Sequence, residues 1–63
     1  MLKIENFLNK NVGEATKIAK LQNMKIRVIC KDGVYLDVEN TWDDSRINVV
    51  IKNDKIIEIE GVG

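Results

Sequence analysis

The 63-residue chain carries ten basic and ten acidic residues, no histidine and one cysteine, and 44% of it is hydrophobic. A chain this short buries only about 60% of the surface it exposes unfolded, so a single domain, residues 1–63, with one economical core is expected. A ligand pocket of roughly 300 Å³ or more is not. Enzyme chemistry is disfavoured, because histidine is absent, Ser45 is the sole serine, and no pocket is evident to raise a carboxylate pKa.

The charge is split along the chain. Residues 1–31 hold seven basic and two acidic groups, and residues 32–63 hold three basic and eight acidic, a net +5 against −5. Lys3, Lys10, Lys17, Lys20, Lys25, Arg27 and Lys31 are spread out without interleaved aromatics, which reads as solvated surface rather than a nucleic-acid patch. Residues 1–10 contain no apolar run long enough for a signal peptide or a membrane span. With Cys30 alone no intrachain disulfide can form, and a lone cysteine in an apolar run is usually a buried small hydrophobe. These features favour the cytoplasm, with secretion open if a leader has been removed.

In chain order, residues 1–8 fit a short extended or turn-like lead-in whose Phe7 and Leu8 plug the core. Asn11 is a helix cap, with Glu14 at the capping-box position. The spacing predicts a helix over 11–22, burying Val12, Ala15, Ile18, Ala19 and Gln22, with Lys17 and Lys20 turned outward. Lys25-Ile26-Arg27-Val28-Ile29-Cys30 is rich in β-branched residues and reads as a strand over 25–30, left through Lys31-Asp32-Gly33.

The interval 33–45 has no helical period and reads as an exposed loop along one edge of the sheet. Ser45 to Ile51 and Ile56 to Glu60 then read as strands near 46–52 and 55–60, joined by a turn at Lys52-Asn53-Asp54-Lys55. The interval after Gly33 is too long for a tight hairpin, so the 25–30 and 46–52 strands could be parallel. The fold class that follows is α+β, one helix packed on a small mixed sheet, with Ala15, Ile18, Ile26, Val28, Ile47, Val49, Ile51, Ile57 and Ile59 supplying most of the core. A long irregular connection in so small a domain points to binding. Asp37, Glu39, Asp43 and Asp44 could offer oxygen ligands, but their spacing does not match a calcium loop, and a solvated acidic loop is expected.

Val12-Gly13-Glu14-Ala15, Ile26 to Cys30, Ser45-Arg46-Ile47-Asn48-Val49, Asp54-Lys55-Ile56 and Val62-Gly63 occur in an order and spacing that resembles the potato inhibitor I type of serine-protease inhibitor, especially its microbial subtilisin and elastase inhibitor branch. The similarity covers about residues 11–63. It implies an exposed loop that lies substrate-like in a protease cleft, with Arg46 and Asn48 reaching up from the following strand to support it. The binding loop would comprise Glu39, Asn40, Thr41, Trp42 and Asp43. The family's Thr-x-acid pattern matches Thr41-Trp42-Asp43 and puts the scissile bond after Trp42, whereas counting back from Arg46 puts it after Asn40.

The loop is about two residues longer than the family pattern, and the paired cysteines of many microbial relatives are missing, so loop rigidity would rest on hydrogen bonds. No Lys or Arg lies between Asp32 and Ser45, which argues against a trypsin-like target. The implied partner is a subtilisin-, elastase- or chymotrypsin-like protease, with Trp42 as an exposed anchor or, alternatively, a lid folded on the core. Arg46 could be a strut beneath the loop or a surface ion pair with the nearby acids. The competing function is a non-inhibitory interaction module that uses the same acidic loop to block or recruit another protein.

Overall fold

Asn11 begins the helix as its sequence dictates. Its side-chain oxygen accepts from the Glu14 backbone N–H at 2.8 Å, and its side-chain amide donates to the Glu14 carboxylate at 3.3 Å. The computed structural model describes residues 4–63, so the first three residues of the predicted lead-in lie outside the described residues. A 3₁₀ turn at Ile4–Asn6 leads to Phe7, which is fully buried, and Leu8, which packs beside it.

The helix α1 spans Val12–Lys20, shorter than the predicted 11–22. Beyond Lys20 the chain closes a Schellman-type turn. Asn23, at φ 57°, donates to the Lys20 carbonyl, and Met24 donates to the Ala19 carbonyl. That turn leaves Gln22 exposed, so it is not part of the buried face. Ala15 and Ala19 are buried, with Val12 and Ile18 packed at the margins.

Four strands follow: β1 Lys25–Lys31, β2 Val34–Tyr35, β3 Arg46–Lys52 and β4 Lys55–Val62, in the order β2-β1-β3-β4. The two central strands are parallel, and both outer pairs are antiparallel. The fold is therefore α+β, one helix on a small mixed sheet. The sequence did not reveal β2, because two residues cannot show an alternation. It is defined by Asp32 and Gly33 at φ 49° and 83°, which turn the chain so that Lys31 pairs with Val34. Asn53 and Asp54, at φ 52° and 64°, make the same kind of two-residue turn between β3 and β4.

Phe7, Ala15, Ala19, Ile47, Val49, Ile51 and Ile56 form the core, with Ile18, Ile26, Val28 and Ile59 packed against it. Ile57, expected inside, is 51% exposed, and Ile56 takes its place. The cause is a bulge. Ile51 pairs with Ile56 and Val50 with Glu58, so Ile57 has no partner and the side-chain phase slips by one. Cys30 is buried, as expected, but beside Val50 on the face away from the helix, since Val50 alternates with the core residues Val49 and Ile51.

Part of the outer edge of β4 is covered. The Ile56 N–H donates to the Lys10 carbonyl, and the Ile56 carbonyl accepts from Asn9. The parallel β1/β3 pair has the larger consequence. Because β3 starts beside the start of β1, the chain must return along the sheet after β2, and it does so through residues 36–45 without a helix. Leu36 donates to the Ile29 carbonyl, four positions up the strand from Lys25, a separation of about 13 Å at strand rise. The connecting segment could span more than twice that distance. It therefore bows away from the sheet, and its shape depends on what holds it.

Candidate functional site

The holding groups come from the face opposite the helix. Ile26 and Val28 on β1, and Ile47 and Val49 on β3, pack toward the core, so Lys25, Arg27, Arg46 and Asn48 project from the other side. The parallel register sets Lys25 beside Arg46 and Arg27 beside Asn48. Three cations and one amide thus form a compact floor under residues 36–45.

Each group on this floor has a partner. Arg27 donates through Nη1 to the Glu39 carbonyl at 2.9 Å and through Nε to the Asn48 side-chain oxygen at 2.7 Å. Arg46 donates through Nη2 to the Thr41 carbonyl and through Nε to the Gly63 backbone oxygen at 2.8 Å. Asn48 donates to the same Gly63 oxygen at 3.2 Å. Two guanidinium groups therefore hold alternate carbonyls of the loop, on either side of Asn40. Charge-assisted bonds of this kind are the stronger class.

Asp43 closes the loop. Its carboxylate accepts from the Ser45 hydroxyl at 2.6 Å and the Ser45 backbone N–H at 2.9 Å, and lies 2.9 Å from the Lys25 ammonium. The Ser45 hydroxyl, then Lys25 and the Ser45 amide hold this carboxyl well below the usual aspartate range. The Asp43 carbonyl also accepts from the Arg46 N–H, which bends the chain into β3. From Leu36 to Asp43, by contrast, the backbone makes no turn or bend, and no residue has positive φ.

Among the residues expected to form the binding loop, Glu39, Asn40, Thr41 and Trp42 are exposed, while the Asp43 side chain is engaged from below by Ser45 and Lys25. Trp42 is 77% exposed, with one edge of its indole against Gly63. It is not a lid on the core. A Cβ built on Gly63 would come within 2.8 Å of the Trp42 ring, so the absence of a side chain there lets the indole settle. Arg46 does act on the loop, through a carbonyl, and forms no ion pair with the nearby acids. Among the described residues the one ion pair is Lys25 with Asp43.

Asn48 differs from the expectation, because its side-chain hydrogen bonds go to Arg27 and Gly63 and none goes to the loop. It braces Arg27 and Gly63, since its short side chain reaches its neighbours in the sheet but not the chain above. Lys25, Arg27, Ser45 and Gly63 were missed. The signal for the first two was present in the repeated pattern Lys25-Ile26-Arg27-Val28 and Arg46-Ile47-Asn48-Val49, which a parallel register superimposes. Nor is the loop confined to a sheet edge, because its supports stand on the two central strands.

Among the described residues no three His, Cys, Asp or Glu side chains converge as metal ligands, no pocket is present, and no helix is long and apolar enough to cross a membrane. No protein-family model, curated protein or solved structure matches the chain.

Proposed function

We propose that this protein is a serine-protease inhibitor of the potato inhibitor I type, presenting residues 36–43 to the protease cleft as a substrate-like strand. The observation that carries the reading is the pair of guanidinium bonds from Arg27 and Arg46 to the carbonyls of Glu39 and Thr41. A segment held by its main chain keeps its side chains outward and has already lost the freedom that a flexible peptide loses on docking. That loss is about 0.5 to 1.5 kcal/mol per ordered side chain, with backbone in addition.

The bond presented is Asn40–Thr41. A protease binds an extended stretch on both sides of the bond it attacks. A bond after Trp42 would leave only Asp43 between it and the turn at Asp44 and Ser45. After Asn40, the chain stays free of turns to Asp43, and the anchored carbonyls flank the bond on either side. If the bond is cut, Arg27 retains the new carboxyl-terminal side and Arg46 the new amino-terminal side. The ends stay in place, and resealing competes with release.

The test is titration of subtilisin-, elastase- and chymotrypsin-like proteases, with mass spectrometry of the inhibitor after prolonged incubation. Saturable inhibition with one slow cut between Asn40 and Thr41 is expected. Rapid cuts at several sites, or no effect on any of these enzymes, would sink the reading and leave the non-inhibitory interaction module.

A further inference from the structure

Resting on that reading, we infer that Asn40 is the residue that enters the primary specificity pocket, and that the preferred target is an endopeptidase whose pocket recognises an uncharged carboxamide. Asn40 is exposed, and its side chain makes no hydrogen bond among the described residues. Its two chain neighbours are anchored through their carbonyls to Arg27 and Arg46, so Asn40 is the one position between the anchors whose side chain and carbonyl are both uncommitted. Geometry therefore chooses the residue, and its chemistry chooses the pocket.

A carboxamide offers two N–H donors and one acceptor oxygen, all needing partners once desolvated. An apolar slot of the chymotrypsin or subtilisin kind would bury those groups unpaired, weakening the complex by about tenfold to a hundredfold relative to an aliphatic side chain. A pocket built around a carboxylate to receive Lys or Arg gains no charge pairing from an amide. A pocket with a donor and an acceptor of its own satisfies Asn40 and rejects isosteres that cannot hydrogen-bond, a discrimination that reaches about 10⁴. The exposed acids Asp37 and Glu39 precede Asn40 and form no ion pair among the described residues, which suits a target cleft that is basic or neutral beside the pocket.

The experiment compares wild type and Asn40→Leu against two enzymes, an endopeptidase that cleaves after asparagine and a subtilisin. Asn40 is exposed, so the substitution leaves the fold intact. Wild type is expected to inhibit the asparagine-cleaving enzyme at least tenfold more tightly than the subtilisin. Asn40→Leu is expected to lose the first activity by a hundredfold or more and gain at least tenfold on the second. If Asn40→Leu inhibits subtilisin while wild type leaves the asparagine-cleaving enzyme untouched, the pocket assignment fails and the inhibitor reading stands. Equal inhibition of subtilisin by both proteins would remove Asn40 from the pocket. Failure of both proteins on both enzymes would overturn the inhibitor reading itself.

Discussion

Replacing Arg46 by alanine separates stability from binding. Its guanidinium makes two charge-assisted bonds, one to the Gly63 oxygen in a partly buried position and one to the Thr41 carbonyl in an exposed one. Shielded bonds of this kind are worth about 1.5 to 3 kcal/mol and exposed ones less, so the loss of stability should be about 2 kcal/mol. The whole domain is stable by roughly 3 to 9 kcal/mol, so the variant still folds. Binding suffers separately. Without the Thr41 anchor, Asn40, Thr41 and Trp42 must be ordered on docking, at about 0.5 to 1.5 kcal/mol per side chain. The expected loss is about 2 to 4 kcal/mol, or roughly thirtyfold to a thousandfold in Kd.

Urea denaturation gives the first quantity and inhibition titration the second. Asn48→Ala is the control, because it loses hydrogen bonds to Gly63 and Arg27 and none to the loop, and should cost stability with a smaller loss of affinity. Arg46→Lys should fall between, since an ammonium cannot fork to both oxygens. Unchanged affinity in Arg46→Ala, alongside the expected loss of stability, would refute the strut argument.

Ile56→Ala should destabilise by about 2 to 5 kcal/mol, whereas Ile57→Ala should cost less than about 1, because the bulge puts the first in the core and the second in water. Comparison of denaturation midpoints checks this, and equal costs would contradict the bulged register. Gly63→Ala should displace the Trp42 ring, lowering affinity and shifting tryptophan emission, and should also cost stability, because Gly63 sits at φ 157°, a backbone conformation that residues with a Cβ rarely adopt. Asp43 has a depressed folded-state pKa, so its contribution to stability is fully present above the unfolded aspartate value of about 4 and is lost as pH falls below it. The stability difference between wild type and Asp43→Ala, measured by denaturation from pH 7 to pH 2, should be constant at the upper end and shrink below about pH 4.

The elements with strong local signals could be read directly. Asn11 and Glu14 fix where α1 starts, Asn53 and Asp54 fix the β3–β4 turn, and Phe7, expected with Leu8 to plug the core, is fully buried. The features that depend on pairing could not. Ile57 looked as good a core residue as Ile56 until the partner strand imposed a bulge, and β2 exists only because Asp32 and Gly33 fold two residues back onto β1. At the site, Arg46 was singled out by the family resemblance, while its position in the acidic half beside the loop left a strut and a surface ion pair both open. Arg27 lies twenty-one positions from its partner Asn48 and enters only through the parallel register.

That register also explains the split in charge. The acidic segment after Gly33 would repel itself and bow away from the sheet if nothing opposed it, and Cys30 alone cannot cross-link it. The basic half supplies the opposition through β1, whose Lys25 and Arg27 lie beside Arg46 and Asn48. Only one loop carboxylate, that of Asp43, is neutralised by an ion pair among the described residues, and both arginines bind main-chain carbonyls instead. The distinction matters for function, because a carbonyl is present whatever the residue. The side chains at Glu39, Asn40 and Thr41 can therefore change without removing the bonds that fix the backbone beneath them. An Asn40→Leu or Asn40→Lys loop should keep the wild-type unfolding free energy while its protease preference changes. Large stability differences across such a series would mean that the side chains, not the carbonyls, hold the loop.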